Sequence, residues 1–112
     1  MALLDTLSAL MHPYGPRVQK MFGGTCFLVN ENLVIGTHKD GLIVRVGPAG
    51  TAAALESPFA TQMEMGGREM KGWILVSADG CASEGDLRGW VDQAMEFNRT
   101  LPPGAAKARR KS

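Results

Sequence analysis

The order of apolar and polar positions predicts short strands framed by three helical segments. Apolar residues recur every three or four positions over residues 2–11 and again over residues 83–101, as in amphipathic helices. The alanine-rich stretch 49–56 predicts a third helix, because Pro48 suits a first helical turn. Other apolar runs are rich in valine, isoleucine and leucine and have the length of strands. These runs are residues 18–22, 25–29, 33–38, 42–46, 61–65 and 68–78.

The connections between these runs predict an antiparallel sheet. Asp40-Gly41 and Gly66-Gly67 are residue pairs that tolerate the positive φ angles of tight hairpin turns. The remaining links within each meander are too short for a crossover helix, so neighbouring strands are expected to run antiparallel. The sequence therefore predicts an α+β fold of two layers, with about five antiparallel strands in the order α-β-β-β-α-β-β-α.

The fourth apolar run shows how the two faces of this sheet should differ. Leu42, Val44 and Val46 share one face by the alternation of side chains along a strand. Ile43 and Arg45 lie on the other face. We expect the three helices to cover the first face, since this arrangement buries all three apolar helix stripes. The second face is expected to look toward solvent or a partner.

Composition and charge divide the chain into a body and a tail. The 112 residues are 45% hydrophobic and 21% charged, as in one globular domain. Residues 1–98 hold 7 basic and 11 acidic residues, whereas residues 99–112 hold 5 basic residues and no acidic one. We expect a folded domain over residues 1–103 and a basic, disordered tail over residues 104–112. The composition of the body does not supply the clustered basic face that duplex nucleic acid requires.

The cysteine content and the N-terminal sequence indicate a cytoplasmic protein. Cys26 and Cys81 are too few for the disulfide framework of a small secreted domain. Asp5 interrupts the N-terminal leucines, which disfavours a signal peptide. Apolar runs are also shorter than the roughly 18 residues that span a bilayer, so no membrane partner is expected.

Several segments resemble a single protein family. The run Lys20-Met21-Phe22-Gly23-Gly24 precedes a predicted meander and resembles the Met-Phe-Gly-Gly signature of the TfoX (Sxy) N-terminal domain family. The resemblance covers about residues 3–103 and includes further segments of the chain. These segments are residues 42–46, the predicted hairpin 65–72, residues 86–91 and Leu101-Pro102-Pro103.

The resemblance implies a two-layer α+β domain with a regulatory or interaction role linked to bacterial competence. It carries over no catalytic residue and makes Met21, Phe22, Gly23 and Gly24 a structural motif. Full-length competence regulators of this kind have a second, helical C-terminal domain, whereas this chain stops before one. A stand-alone N-terminal domain is therefore expected, and the process that it regulates stays open.

The residues near the first glycine pair offer little for catalysis. Gly23-Gly24-Thr25 follows a strand but lacks the lysine and the helix of a phosphate-binding loop, so a turn or bulge is favoured. Cys26 would act as a nucleophile only beside an activating base, such as His12 or His38, and a third orienting group. The sequence shows no such arrangement, so packing is the favoured role of Cys26.

No metal or cofactor is expected either. The cysteines and histidines lack the close pair spacing of zinc ligands. Glu64 and Glu69 flank a glycine turn and might be read as an acid–base pair, but solvated surface carboxylates are more common there. We therefore expect a protein that is not an enzyme, and no small-molecule ligand is indicated.

Three methionines, Met63, Met65 and Met70, cluster around the second predicted hairpin. Met63 and Met65 lie two positions apart and should share a strand face. Flexible packing in the core is the more common role of methionine, and an adaptable surface that contacts another chain is the alternative. Arg68 and Lys71 would form the polar rim of that surface. The preferred hypothesis is an interaction module that binds a protein partner or pairs as a homodimer.

The C-terminal residues suggest a second hypothesis. Lys107, Arg109, Arg110 and Lys111 occupy four of the last six positions. Such a run is commonly a solvated tail, and it also permits weak, salt-sensitive contact with nucleic acid. Aromatic residues that would stack on bases are not interleaved with these cations.

Overall fold

The computed structural model describes residues 3–39 and 41–101, which form one six-stranded antiparallel sheet with three α-helices. The helices are α1 (Leu3–Met11), α2 (Thr51–Ala54) and α3 (Glu84–Asn98). The strands are β1 (Arg17–Met21), β2 (Gly24–Val29), β3 (Asn32–His38), β4 (Gly41–Arg45), β5 (Ala60–Met65) and β6 (Arg68–Val76). Gly41 pairs with His38 and begins β4, so the turn lies one residue earlier than the predicted Asp40-Gly41 pair. Asp40 itself and the predicted tail over residues 104–112 lie outside the described residues.

The strands are ordered β1-β2-β3-β4-β6-β5, so β1 and β5 are the two edges of the sheet. Every neighbouring pair is antiparallel, which confirms the predicted pairing and the α+β class. Within the described residues, four strands precede α2 and two follow it, which gives six strands where about five were expected. The alanine-rich helix is shorter than predicted, because Pro48–Gly50 forms a 3-10 turn before α2.

The main core lies between the sheet and the helices. Leu42, Val44 and Val46 belong to this core and are at most 5% exposed, as the alternation along β4 predicts. The helices contribute Leu7, Met11, Ala54, Leu87, Trp90, Val91, Ala94 and Met95 to the same core. Burial of each large aliphatic side chain stabilises the fold by about 1.5–3 kcal/mol. In the described part of the chain, no helix is long and apolar enough to cross a membrane.

Helix α3 is fixed to the sheet by polar contacts as well as by packing. The Ser83 hydroxyl accepts a hydrogen bond from the Asp86 amide at 3.1 Å and so caps the N-terminus of α3. Trp90 Nε1 donates to the Gly80 carbonyl at 3.0 Å, and Asn98 Nδ2 donates to the Val29 carbonyl at 3.1 Å. Because buried polar groups need partners, these last two bonds set the position of α3 along the sheet.

The opposite face of the sheet carries a second apolar cluster, so the prediction that Ile43 faces solvent or a partner is wrong. Buried Cys26, Leu28 and Leu33 pack there with partly buried Met21, Phe22 and Trp73. Ile43, on the same face, is fully buried. Phe22, at the end of β1, contacts Trp73 on β6, so the β1–β2 hairpin lies across this face. Alternation along one strand cannot reveal such a long-range contact.

Candidate functional site

The tip of the β1–β2 hairpin, Met21–Gly24, is called the packed tip below. Phe22 and Gly23 form its two-residue turn with φ angles of 56° and 75°, as in a type I′ turn. Gly24 begins β2, where a Cβ atom would lie 1.9 Å from the Thr37 carbonyl oxygen. The glycine pair therefore builds a tight turn and a close strand contact, which confirms the interpretation preferred over a phosphate loop.

Aromatic and polar contacts hold the packed tip against the sheet. The Phe22 and Trp73 ring centroids are 6.2 Å apart with an interplanar angle of 66°, an edge-to-face arrangement. The Phe22 carbonyl lies 3.1 Å from His38 Nδ1 and accepts its proton in the Nδ1–H tautomer. The Arg45 guanidinium lies 5.1 Å from the Trp73 ring centroid and 5.5 Å from that of Phe97. The packed tip is thus an integral part of the fold.

Both cysteines occupy environments that favour the neutral thiol. Cys26 lies under the packed tip, fully buried, with Sγ 3.8 Å from the Met21 carbonyl oxygen. Burial raises the pKa of the Cys26 thiol. Burial, with a smaller contribution from the Asp86 carboxylate, raises the pKa of the Cys81 thiol. Since the thiolate is the nucleophilic form, these sites suit packing better than attack on a substrate.

The tip of the β5–β6 hairpin, Glu64–Met70, is called the projecting tip below. Its turn is formed by Gly66 and Gly67, with φ angles of 60° and 81°, as their sequence predicts. A Cβ atom added to either glycine would meet no other described residue within 4 Å. Residues 64–69 are all exposed. The projecting tip therefore extends into solvent on the surface that the structure describes.

The projecting tip begins at an irregularity in the sheet. Gln62 pairs with Ile74, whereas Glu64 pairs with Glu69. Residues 70–73 of β6 therefore have only one residue of β5 opposite them, which makes a large bulge. Bulges of this kind bend a strand and redirect the side chains beyond it.

The bulge is stiffened by hydrogen bonds. Gly72 has a φ angle of 88°, and its carbonyl accepts from the two backbone amides that follow β4, at 2.8 and 3.0 Å. The Gln62 carboxamide nitrogen donates to the Met70 carbonyl at 2.8 Å and to the Trp73 carbonyl at 3.1 Å. These contacts supply partners for carbonyl groups that the sheet ladder leaves without them.

The structure separates the five residues predicted as partner contacts. Met63 lies at the register shift and is only 3% exposed, so it is placed in the interior. Met65 is 48% exposed, Met70 is half-buried, and Arg68 and Lys71 are exposed. Met65 pairs with Arg68, and Met70 lies two residues beyond Arg68 on β6. Met65 and Arg68 therefore share one face of the projecting tip, and Met70 lies where the bulge begins.

Two further candidate residues, Glu64 and Glu69, lie on the projecting tip. Glu64 and Glu69 face each other across the hairpin, and both are exposed. Within residues 3–39 and 41–101, no group of three or more histidine, cysteine, aspartate or glutamate residues is placed to hold a metal ion. The predicted nucleic-acid contacts lie outside the described residues; they are Lys107, Arg109, Arg110 and Lys111.

A protein-family model identifies the family to which this chain belongs. The model of the TfoX N-terminal domain matches residues 9–98. The chain belongs to the TfoX N-terminal domain family. Among curated proteins and solved structures there is no significant match. In this TfoX N-terminal domain, the match extends from α1 to the end of α3 and includes both hairpin tips.

The bulge of this TfoX N-terminal domain depends on two residues, Gln62 and Gly72. Gln62 was not singled out, because a glutamine in a strand gives no sign that its carboxamide bonds to a bulge. Gly72 does give a signal, since glycine inside an apolar strand run often marks a bulge. The contact between Phe22 and Trp73 joins residues far apart in the chain, and neither residue alone indicates it.

Proposed function

We propose that this TfoX N-terminal domain is a non-enzymatic regulatory module that binds a protein partner. The proposed contact surface is the part of the projecting tip formed by Met65, Arg68 and Met70. The observation that carries the proposal is a 48% exposed methionine on a hairpin whose base is stiffened by hydrogen bonds. A stiff base supports binding, because less conformational entropy is lost when the partner docks.

The chemistry of the three residues supports a protein partner. Methionine is flexible and polarizable, so it adapts to apolar surfaces of different shape. Methionine and arginine are enriched at protein interfaces. The neutral, buried thiols and the exposed carboxylate pair offer little support for a catalytic role. These properties favour recognition as the task of this surface.

The proposal can be tested by capturing the partner from an extract of the native host. Two matched variants of the chain are compared for the amount of partner that each recovers. Met65→Glu places a charge on the projecting tip, while Leu55→Glu changes another exposed apolar residue, which is 38% exposed beyond α2. We expect Met65→Glu to lower recovery of the captured partner at least tenfold, because a carboxylate must be desolvated at an apolar contact. Leu55→Glu should retain the partner. Equal recovery with both variants would refute the assignment of this surface.

The uneven charge of the chain favours a second candidate, weak binding of nucleic acid through the basic residues 104–112. This candidate predicts that the affinity for duplex DNA falls steeply with salt concentration. Deleting residues 104–112 should abolish binding if these residues provide the contact. Equal DNA shifts by the intact and shortened chains, or none by either, would dismiss this candidate.

A further inference from the structure

Strand β1 is one edge of the sheet, and β5 is the other. In the strand order, no other described strand lies beyond β1. Four of its five residues are exposed. Val18 is 56% exposed, more than any other large apolar side chain in the described residues. The outward backbone amides and carbonyls along an edge strand have no partner in their own sheet and can pair with another strand.

The register of the hairpin determines which backbone groups face outward. The pair that flanks the Phe22-Gly23 turn is hydrogen-bonded in a two-residue hairpin, and alternate pairs follow this pattern. The amides and carbonyls of Val18 and Lys20 therefore point away from β2. The Thr25 amide agrees with this assignment: Thr25 lies opposite Lys20 but donates to Thr37 Oγ1 at 3.0 Å, toward β3.

We propose that two copies of this chain pair along β1 with a two-fold axis at Gln19. In this antiparallel register, Val18 lies opposite Lys20 of the second copy, and the reverse pair follows by symmetry. The outward amides and carbonyls then form four backbone hydrogen bonds between the copies. The two sheets join into one continuous sheet.

Neighbouring registers satisfy these groups less well. A register with Val18 opposite Val18 of the second copy places Lys20 opposite Pro16, which has no amide proton to donate. A register with Lys20 opposite Lys20 of the second copy brings two ammonium groups together, which destabilises a strand pair. The register centred on Gln19 avoids both problems.

The side chains on β1 also fit a second copy in this register. Lys20 lies beside Val18 of the second copy, so its methylene chain covers the exposed valine. Arg17 is paired with Glu31 of its own chain at 3.2 Å, which offsets its charge at the edge. Gln19 Oε1 accepts from Arg17 Nη1 at 2.9 Å, and Gln19 Nε2 can donate to Gln19 of the second copy. A five-residue strand makes a small interface, so the dimer should dissociate on dilution.

This dimer goes beyond the proposed function and uses a different surface. The projecting tips belong to β5 and β6, at the end of the strand order opposite to β1. A variant that no longer pairs along β1 should therefore still capture the partner through the projecting tip. Conversely, Met65→Glu should still form the dimer. Failure of one proposal is distinguishable from failure of the other.

Cysteine cross-linking tests the register directly. At the axis, non-hydrogen-bonded residues have Cα atoms about 4.5 Å apart, within the range of a disulfide. Gln19→Cys should therefore form a disulfide-linked dimer under mild oxidation. Val18→Cys, on the same edge, should form several-fold less of the disulfide-linked dimer. In this register residue 18 lies opposite Lys20 of the second copy and not opposite residue 18. Thr61→Cys serves as the control on the other edge strand, β5. The native Cys26 and Cys81 are at most 3% exposed, which limits background.

A charge substitution provides a second, independent measurement by sedimentation equilibrium. Val18→Lys should weaken the dimer roughly tenfold, because it creates two symmetric like-charge pairs with Lys20. Val18→Glu should retain or tighten the dimer at low salt, since it creates two opposite-charge pairs. Equal weakening by both variants would overturn the register. The proposal is also overturned if Gln19→Cys stays monomeric on oxidation, or if Val18→Cys or Thr61→Cys cross-links as readily as Gln19→Cys.

Discussion

The packed tip and the projecting tip have similar sequences but different surroundings. Each has a methionine, a two-residue turn containing glycine, and positive φ angles at both turn positions. The packed tip places Phe22 at the first turn position and lies across the sheet against Trp73. The projecting tip has Gly66 at that position and extends into solvent.

The comparison shows that the turn residues determine the reversal of the chain, whereas an anchoring side chain determines where the tip lies. A non-glycine residue such as Phe22 is strained at a φ angle of 56° by about 1–2 kcal/mol. Packing of its ring against Trp73 compensates for that strain. Gly66 has neither the strain nor an anchor, and Met65 beside it is left exposed.

The largest expected difference between the tips comes from their glycines. Gly24→Ala should lower the free energy of unfolding by about 3 kcal/mol, because the new methyl group meets the Thr37 carbonyl and the strands must separate. Gly66→Ala is the matched control and should cost about 1 kcal/mol through backbone strain alone. Urea denaturation measures both values. If Gly66→Ala lowers the free energy of unfolding as much as Gly24→Ala does, the proposed difference between the two tips is wrong.

The anchoring role of Phe22 can be separated from its role in the turn. Phe22→Ala should cost about 2 kcal/mol, since a partly buried ring loses its contact with Trp73. Phe22→Asn places the preferred Asn-Gly pair of a type I′ turn at this site. It should still be less stable than the wild-type chain in thermal unfolding. Stabilisation by Phe22→Asn would mean that turn geometry matters more than the ring.

The bulge at the base of the projecting tip depends on one carboxamide. Gln62→Met keeps the length of the side chain but removes the donor to the Met70 and Trp73 carbonyls. We expect a loss of about 1.5 kcal/mol in unfolding free energy, with faster amide exchange confined to residues 63–73. Gln93→Met, at an exposed position on α3, is the control and should leave both measurements unchanged.

The smallest effect on stability is expected at the exposed methionine. Met65→Ser should change the unfolding free energy by less than about 0.5 kcal/mol, as at other surface positions. The same substitution should weaken partner capture, because it removes the apolar centre of the proposed contact. A loss of more than about 1 kcal/mol would place Met65 among the packing residues instead.

Much of the sheet could be predicted from local signals. Alternation along β4 correctly assigned Leu42, Val44 and Val46 to the helix-covered core. The Gly66-Gly67 pair correctly marked a hairpin, because few other residues adopt two positive φ angles in succession. The apolar periodicity over residues 83–101 correctly predicted α3, which Ser83 caps at its start. Each of these features depends on residues that are neighbours in sequence.

The features that the sequence did not reveal depend on distant pairs. Ile43 is fully buried although it lies on the face opposite the main core, and the pattern within β4 does not indicate that burial. Similarly, Met63 and Met65 were expected to share a face, but the bulge places Met63 in the interior. Alternation predicts the side of a strand only while the ladder is regular.

The two tryptophans lie in different layers of the molecule, so the chain has two natural fluorophores in different environments. Trp90 is 7% exposed in the main core, where its indole N–H bonds to Gly80. Trp73 is only partly buried, beneath Phe22 and close to the Arg45 cation. An aqueous quencher should therefore extinguish Trp73 emission before that of Trp90. In variants that keep only one tryptophan, Trp73 emission would report separation of the packed tip from the sheet. Trp90 emission would report unfolding of the helix layer.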